Sequence, residues 1–115
     1  MSVLHRIKES QQKVNKLKGD DLLKELSRLS NLKKMYEDEI VDYLFNGGTT
    51  FKSMTLNQEG IVTKSSKKEG FYQFTYFDDK GAIGDIERDC LKSLAKKINQ
   101  MDFKICKINK LKILN

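Results

Sequence analysis

A chain of 115 residues, one third charged and 38% hydrophobic, has the size of one domain built on a single core. No apolar run approaches the ~20 residues that span a bilayer, and the N-terminal stretch holds no segment long enough for a signal peptide, so the expected place is the cytoplasm without membrane contact. Two cysteines, Cys90 and Cys106, show neither CxxC nor paired spacing, which predicts reduced, half-buried thiols rather than a disulfide framework.

The first element spans residues 3–17, with Val3, Ile7, Ser10, Val14 and Leu17 on one seam at steps of four and three. Alone it is a marginal helix, so residues 1–18 are expected to pack on the next helix or on a second copy of the chain. A homodimer through Val3, Ile7, Val14 and Leu17 is the corresponding partner expectation. Gly19 interrupts, and the apolar phase slips before Leu22, so a separate, weaker helix is read here, the alternative being one long helix kinked at Gly19.

Asp20 to Phe45 carries the clearest signal. Leu22, Leu26, Leu29, Leu32, Met35/Tyr36, Ile40, Tyr43 and Leu44 fall on one face at helical spacing. Lys24, Arg28, Lys33, Lys34, Asp38 and Asp42 take the other, solvated face. Asp20 or Asp21 can cap the start, and Asn46-Gly47-Gly48 supplies residues that tolerate a left-handed stop.

The period then changes to two. Strands are expected at Phe51–Leu56, Ile61–Lys64 and Phe71–Phe77, separated by the turn Asn57–Gly60 and the polar loop Ser65–Gly70. The wholly aromatic face Tyr72/Phe74/Tyr76 is assigned to the core against the long helix. Asp78–Gly81 is a turn leading at most to a very short strand at Ala82-Ile83. Asp85 is read as the cap of a helix over 86–100, with Ile86, Cys90, Leu91, Leu94, Ala95 and Ile98 facing inward. Phe103–Leu114 closes as a strand, with a break near Lys107–Asn109. The predicted fold is α+β: N-terminal helices, one long and amphipathic, on a small antiparallel sheet, then a helix and a C-terminal strand. Residues 20–115 form the core of a single domain over 1–115.

The net charge of +6 is uneven: residues 1–18 carry +4, 19–89 carry −4 and 90–115 carry +6. Basic ends of this kind point to an acidic or polyanionic partner. Nineteen of the twenty-two basic residues are lysine, the exceptions being Arg6, Arg28 and Arg88. Bidentate reading of guanine or phosphate favours arginine, so sequence-specific nucleic-acid recognition is disfavoured.

Few residues suggest catalysis. His5 is the single histidine, in a terminal segment, and nothing marks either cysteine as activated. Asp38 and Asp42 share a helix face at the spacing of a divalent-metal pair, which is also the solvated face of an amphipathic helix. Asp78-Asp79-Lys80 follows a strand as in some metal-dependent nucleases, with Glu59 or Glu69 as the further acid required; the same residues with Gly81 are an ordinary turn. No cofactor or metal motif occurs.

Lys67 and Lys68 stand beside the aromatic strand, the general arrangement for stacking single-stranded RNA on a sheet. The RNA-recognition motif wants a small residue after the first aromatic and another aromatic next; Tyr72 and Gln73 hold those places. The order helix–three strands–helix over 20–99 is shared with double-stranded-RNA-binding domains. Where those carry a lysine cluster, this chain has Asp85, Glu87 and Asp89. The sequence therefore suggests a small non-enzymatic binding protein, a regulatory or inhibitory adaptor of a size and composition that fit a phage or mobile element. Its surface would be Lys92, Lys96, Lys97, Lys104, Lys107, Lys110 and Lys112, with Lys67 and Lys68 on the loop, and its partner a protein or nucleic acid. Non-specific nucleic-acid binding and a metal-dependent nuclease are the alternatives.

Overall fold

A computed structural model describes residues 2–53 and 56–106. Three helices, α1 (Val3–Val14), α2 (Gly19–Phe45) and α3 (Leu91–Gln100), accompany five strands: β1 (Thr50–Ser53), β2 (Glu59–Lys64), β3 (Tyr72–Asp78), β4 (Gly81–Arg88) and β5 (Phe103–Ile105). All ladders are antiparallel, in the order β4-β3-β2-β1-β5, so the chain is α+β with its long helix before the sheet. No helix among the described residues is long and apolar enough to cross a membrane. The chain divides into two compact units, Met1–Glu39 and Ile40–Asn115.

In the first unit, Ser2 caps α1 by accepting the His5 N–H at 3.1 Å. Gly19, at φ +63°, is the first residue of α2, so Asp20 and Asp21 lie within its first turn instead of capping it as expected. The two helices are tied by a buried hydrogen bond in which the Ser10 hydroxyl donates to the Glu25 carboxylate at 2.5 Å. The buried stripe of α2 runs Glu25, Leu29, Leu32, Tyr36, Ile40, Leu44, at steps of four and three. This corrects the expected face at Leu26, which is 43% exposed, and resolves the Met35/Tyr36 position to Tyr36, Met35 being 45% exposed. Glu25 takes the inward position beside Leu26, because Ser10 supplies the partner a buried carboxylate needs.

The second unit begins with the end of α2. The Gly48 N–H donates to the Tyr43 carbonyl (2.8 Å) and the Gly47 N–H to that of Leu44 (3.1 Å), with Gly47 at φ +89°. This is the left-handed stop that satisfies the last free carbonyls of a helix. The Tyr43 hydroxyl accepts the Thr50 N–H and lies 3.1 Å from the Thr50 carbonyl and hydroxyl oxygens. Thr50 in turn donates from its hydroxyl to the Cys106 carbonyl at 3.0 Å, joining the helix end, β1 and the residue after β5.

The core of this unit is aromatic. Phe51, Phe74 and Phe103 are fully buried, and Phe74 meets the other two edge-on at 5.7 and 5.0 Å between ring centroids. Tyr76 lies beside Phe74 and Phe103, so Phe74 and Tyr76 of the expected aromatic face reach the core, whereas Tyr72 is half-buried and lines a surface hollow. Gly60 is required beneath that ring: a Cβ there would lie 2.1 Å from Phe74. Leu94, Ala95 and Ile98 bring α3 against β3, β4 and β5.

The segment after the Asp78–Gly81 turn differs from expectation. It is one eight-residue strand, β4, in register with β3 from Asp78↔Gly81 to Tyr72↔Arg88, with an irregularity between Tyr76 and Phe77. Asp85 therefore caps no helix. Ile86, read from sequence as the start of a helical stripe, stands opposite Phe74 in the ladder. The helix starts only at Leu91 and is capped by Cys90, whose Sγ accepts the Ser93 N–H at 3.4 Å. Cys90 is thus exposed rather than half-buried, whereas Cys106 is half-buried as expected. Elsewhere the boundaries shift: β1 starts at Thr50, Glu59 and Gly60 belong to β2 rather than to a turn, and Leu56 is exposed outside β1. The expected break near Lys107–Asn109 lies outside the described residues.

Candidate functional site

Amphipathicity places the lysines of α3. With Leu94, Ala95 and Ile98 buried, Lys92 and Lys96 stand exposed one turn apart on the opposite side, and Lys97 is half-buried in the last turn, where a cation suits the helix dipole.

Lys67 and Lys68 are exposed on the β2–β3 loop, and a network invisible in sequence orders that loop. Ser65 Oγ accepts the backbone N–H groups of both lysines at 3.2 Å and donates to the Glu87 carboxylate on β4. The Lys68 ammonium lies 5.2 Å from the Phe71 ring centroid, within cation–π range.

Register brings these groups towards one end of the sheet. Lys64 ends β2, Tyr72 opens β3 and Arg88 ends β4, directly opposite one another. The loop carrying Lys67 and Lys68 leaves from that end, and α3 starts three residues beyond Arg88. Lys64, Lys67, Lys68, Arg88 and Lys92 thus outnumber the carboxylates Glu69, Glu87 and Asp89 there. Lys64 and Arg88 were not singled out from sequence; only strand register identifies them.

Lys104 has a different setting. It is 8% exposed, opposite Lys52 in the β1–β5 ladder, with its ammonium 3.3 Å from the Asp102 carboxylate. Its place is structural and adds little to an exposed surface. Lys107, Lys110 and Lys112 lie outside the described residues. Of the seam proposed for a dimer, Ile7 is buried within the chain while Val3, Val14 and Leu17 are half-buried.

His5 is exposed, with Nε2 3.0 Å from Glu9, one turn away. Glu59, Asp78 and Asp79 line an open hollow of about 260 Å³ with Asn57 and Phe77. Asp78 is already engaged in the turn, where its Oδ1 accepts the Lys80 N–H at 2.8 Å. Among the described residues, no three His, Cys, Asp or Glu side chains gather as a metal-binding group. Asp85, Glu87 and Asp89 lie on or just after β4, so the helix-opening position compared with double-stranded-RNA-binding domains is not a helix here. Comparison with family models, curated proteins and solved structures returns no match.

Proposed function

We propose that the protein is a non-catalytic binding module, a regulatory adaptor that docks an acidic surface of another protein. The reading is carried by Lys92 and Lys96: they are exposed one turn apart on a helix whose other face is fixed in the core. Charge held on a rigid element loses less conformational entropy on binding than charge on a loose tail. Lys67 and Lys68, on an ordered loop towards the same end of the sheet, extend this surface. The scarcity of arginine favours a counterpart recognised by field and shape rather than by bidentate hydrogen bonds.

The test compares wild type with Lys92→Glu/Lys96→Glu in chemical crosslinking and capture at low and near-physiological salt. A specific protein retained by wild type and lost by the variant, with unchanged circular dichroism, supports docking through α3. Identical recovery by both removes α3 from the surface.

Non-specific nucleic-acid binding is the second reading, favoured by the lysines beside the aromatic strand β3. It requires affinity for labelled single- or double-stranded DNA or RNA that falls steeply with salt, with a log–log slope of about −0.9 per phosphate neutralised on duplex DNA. Weak, salt-insensitive anisotropy changes would leave the protein-docking reading in place.

A further inference from the structure

The surface of the second unit has a cleft of about 310 Å³ where the end of α2, strands β2 and β3 and the start of α3 meet. Its volume is at the lower end of the ~300–1,000 Å³ of ligand pockets, and it is open on one side, a shape for a side chain rather than an enclosed cofactor. Leu44, Val62, Tyr72 and Leu91 make it predominantly apolar. The Gly47-Gly48 stop contributes backbone without side chains to one wall.

Lys64 lines the same cleft, is exposed, and makes no ion pair among the described residues. Among the described residues no carboxylate lines it; Glu69 belongs to a neighbouring hollow that shares Lys64 and Tyr72. Leu91 is the first residue of α3, so the positive end of that helix's dipole lies at the cleft edge. An apolar floor, a cation and a helix N-terminus together complement one chemistry: an apolar group with a carboxylate beside it.

We infer that the cleft takes a large apolar side chain of a protein partner flanked in sequence by aspartate or glutamate, whose carboxylate pairs with Lys64. This rests on the reading that the partner is an acidic protein surface, and supplies it with an anchor. Binding energy at such interfaces concentrates where a large side chain fills a pocket from which the surrounding contacts exclude water, and lysines on a helix face alone provide no such pocket.

The probe is the amidated tripeptide N-acetyl-Glu-Phe-Glu, titrated into the ¹⁵N-labelled full chain and followed by amide shifts. Controls are the same peptide with alanine for phenylalanine, and N-acetyl-Lys-Phe-Lys. The expected result is a saturable shift of the Gly47, Gly48, Lys64 and Leu91 amides with the acidic phenylalanine peptide, absent with both controls. Lys64→Gln should weaken it about two- to fivefold, the range of an exposed ion pair. No shift at these amides, or an equal response to the basic peptide, overturns the inference. Shifts confined to the Lys92 and Lys96 amides would overturn it while leaving the lysine surface standing. The capture experiment with Lys92→Glu/Lys96→Glu leaves the cleft residues unchanged, so the two ideas fail separately.

Discussion

Lys104 shows how a single residue can mislead when read from composition. Alternation in Phe103-Lys104-Ile105 puts the lysine on the face away from the aromatic core, and in a tail of lysines it reads as solvated. Only the pairing of β5 with β1 shows that it stands opposite Lys52, a like-charge pair that costs stability unless a carboxylate intervenes. Asp102 supplies that carboxylate from a left-handed backbone position, φ +65°. Asparagine tolerates the same conformation, so Asp102→Asn isolates the charge. We expect a loss of about 0.5–1 kcal/mol in urea unfolding, kept small because the Asp102 side chain is half-exposed to screening solvent. An unchanged midpoint would mean the pair contributes nothing.

At the level of elements, long periodic stretches were legible and short ambiguous ones were not. Helix α2 repeats its apolar spacing over seven turns and ends in Asn46-Gly47-Gly48, so its bounds and stop could be read directly. Strand β4 could not, because GAIGDIER is polar and rich in glycine, and Ile86, Cys90, Leu91 and Leu94 happen to fall at helical steps. Its identity comes from the hairpin it makes with β3 across the Asp78–Gly81 turn, a pairing that the spacing of its own apolar residues does not show. The same holds for the candidate site: exposure of Lys92 and Lys96 follows from helical period alone, whereas the cleft at Lys64 needs four elements to meet. The corrected start of α3 makes Cys90 an N-cap, a position where Ser is preferred and valine is not. Cys90→Ser should hold or raise the thermal midpoint, and Cys90→Val should lower stability by about 1 kcal/mol. A Cys90→Val midpoint equal to that of wild type would show that the Sγ contact to Ser93 has no role.

For the whole molecule, charge sets how any partner is approached. A +6 chain with nineteen lysines and three arginines projects a field more than a pattern of directed hydrogen bonds. Affinity built on that field should decline as salt shortens the Debye length from roughly 10 Å at 0.1 M. An apolar anchor such as the cleft at Lys64 would add a part that salt does not screen. Partner identity was not legible because lysine exposure and an acidic counterpart are common to many binding surfaces, and no residue of the partner is written in this chain.

The strand order has a consequence in time. Strands β1 to β4 form a meander in which each pairs with its successor, while β5 returns across α3 to join β1, the sole ladder among the described strands between elements distant in sequence. Closing that loop costs chain entropy before any contact repays it, so β5 should join after the folding barrier is crossed. Weakening Val62, between β1 and β3, should therefore slow folding, whereas Phe103→Leu in β5 should chiefly hasten unfolding. Stopped-flow chevrons of the two variants read this directly, and a Phe103→Leu variant that folds slowly would reverse the order. Until β5 docks, the rim of Phe51 stays uncovered, and β1 is an open edge, as β4 is at the other side of the sheet, on which a wrong strand can settle.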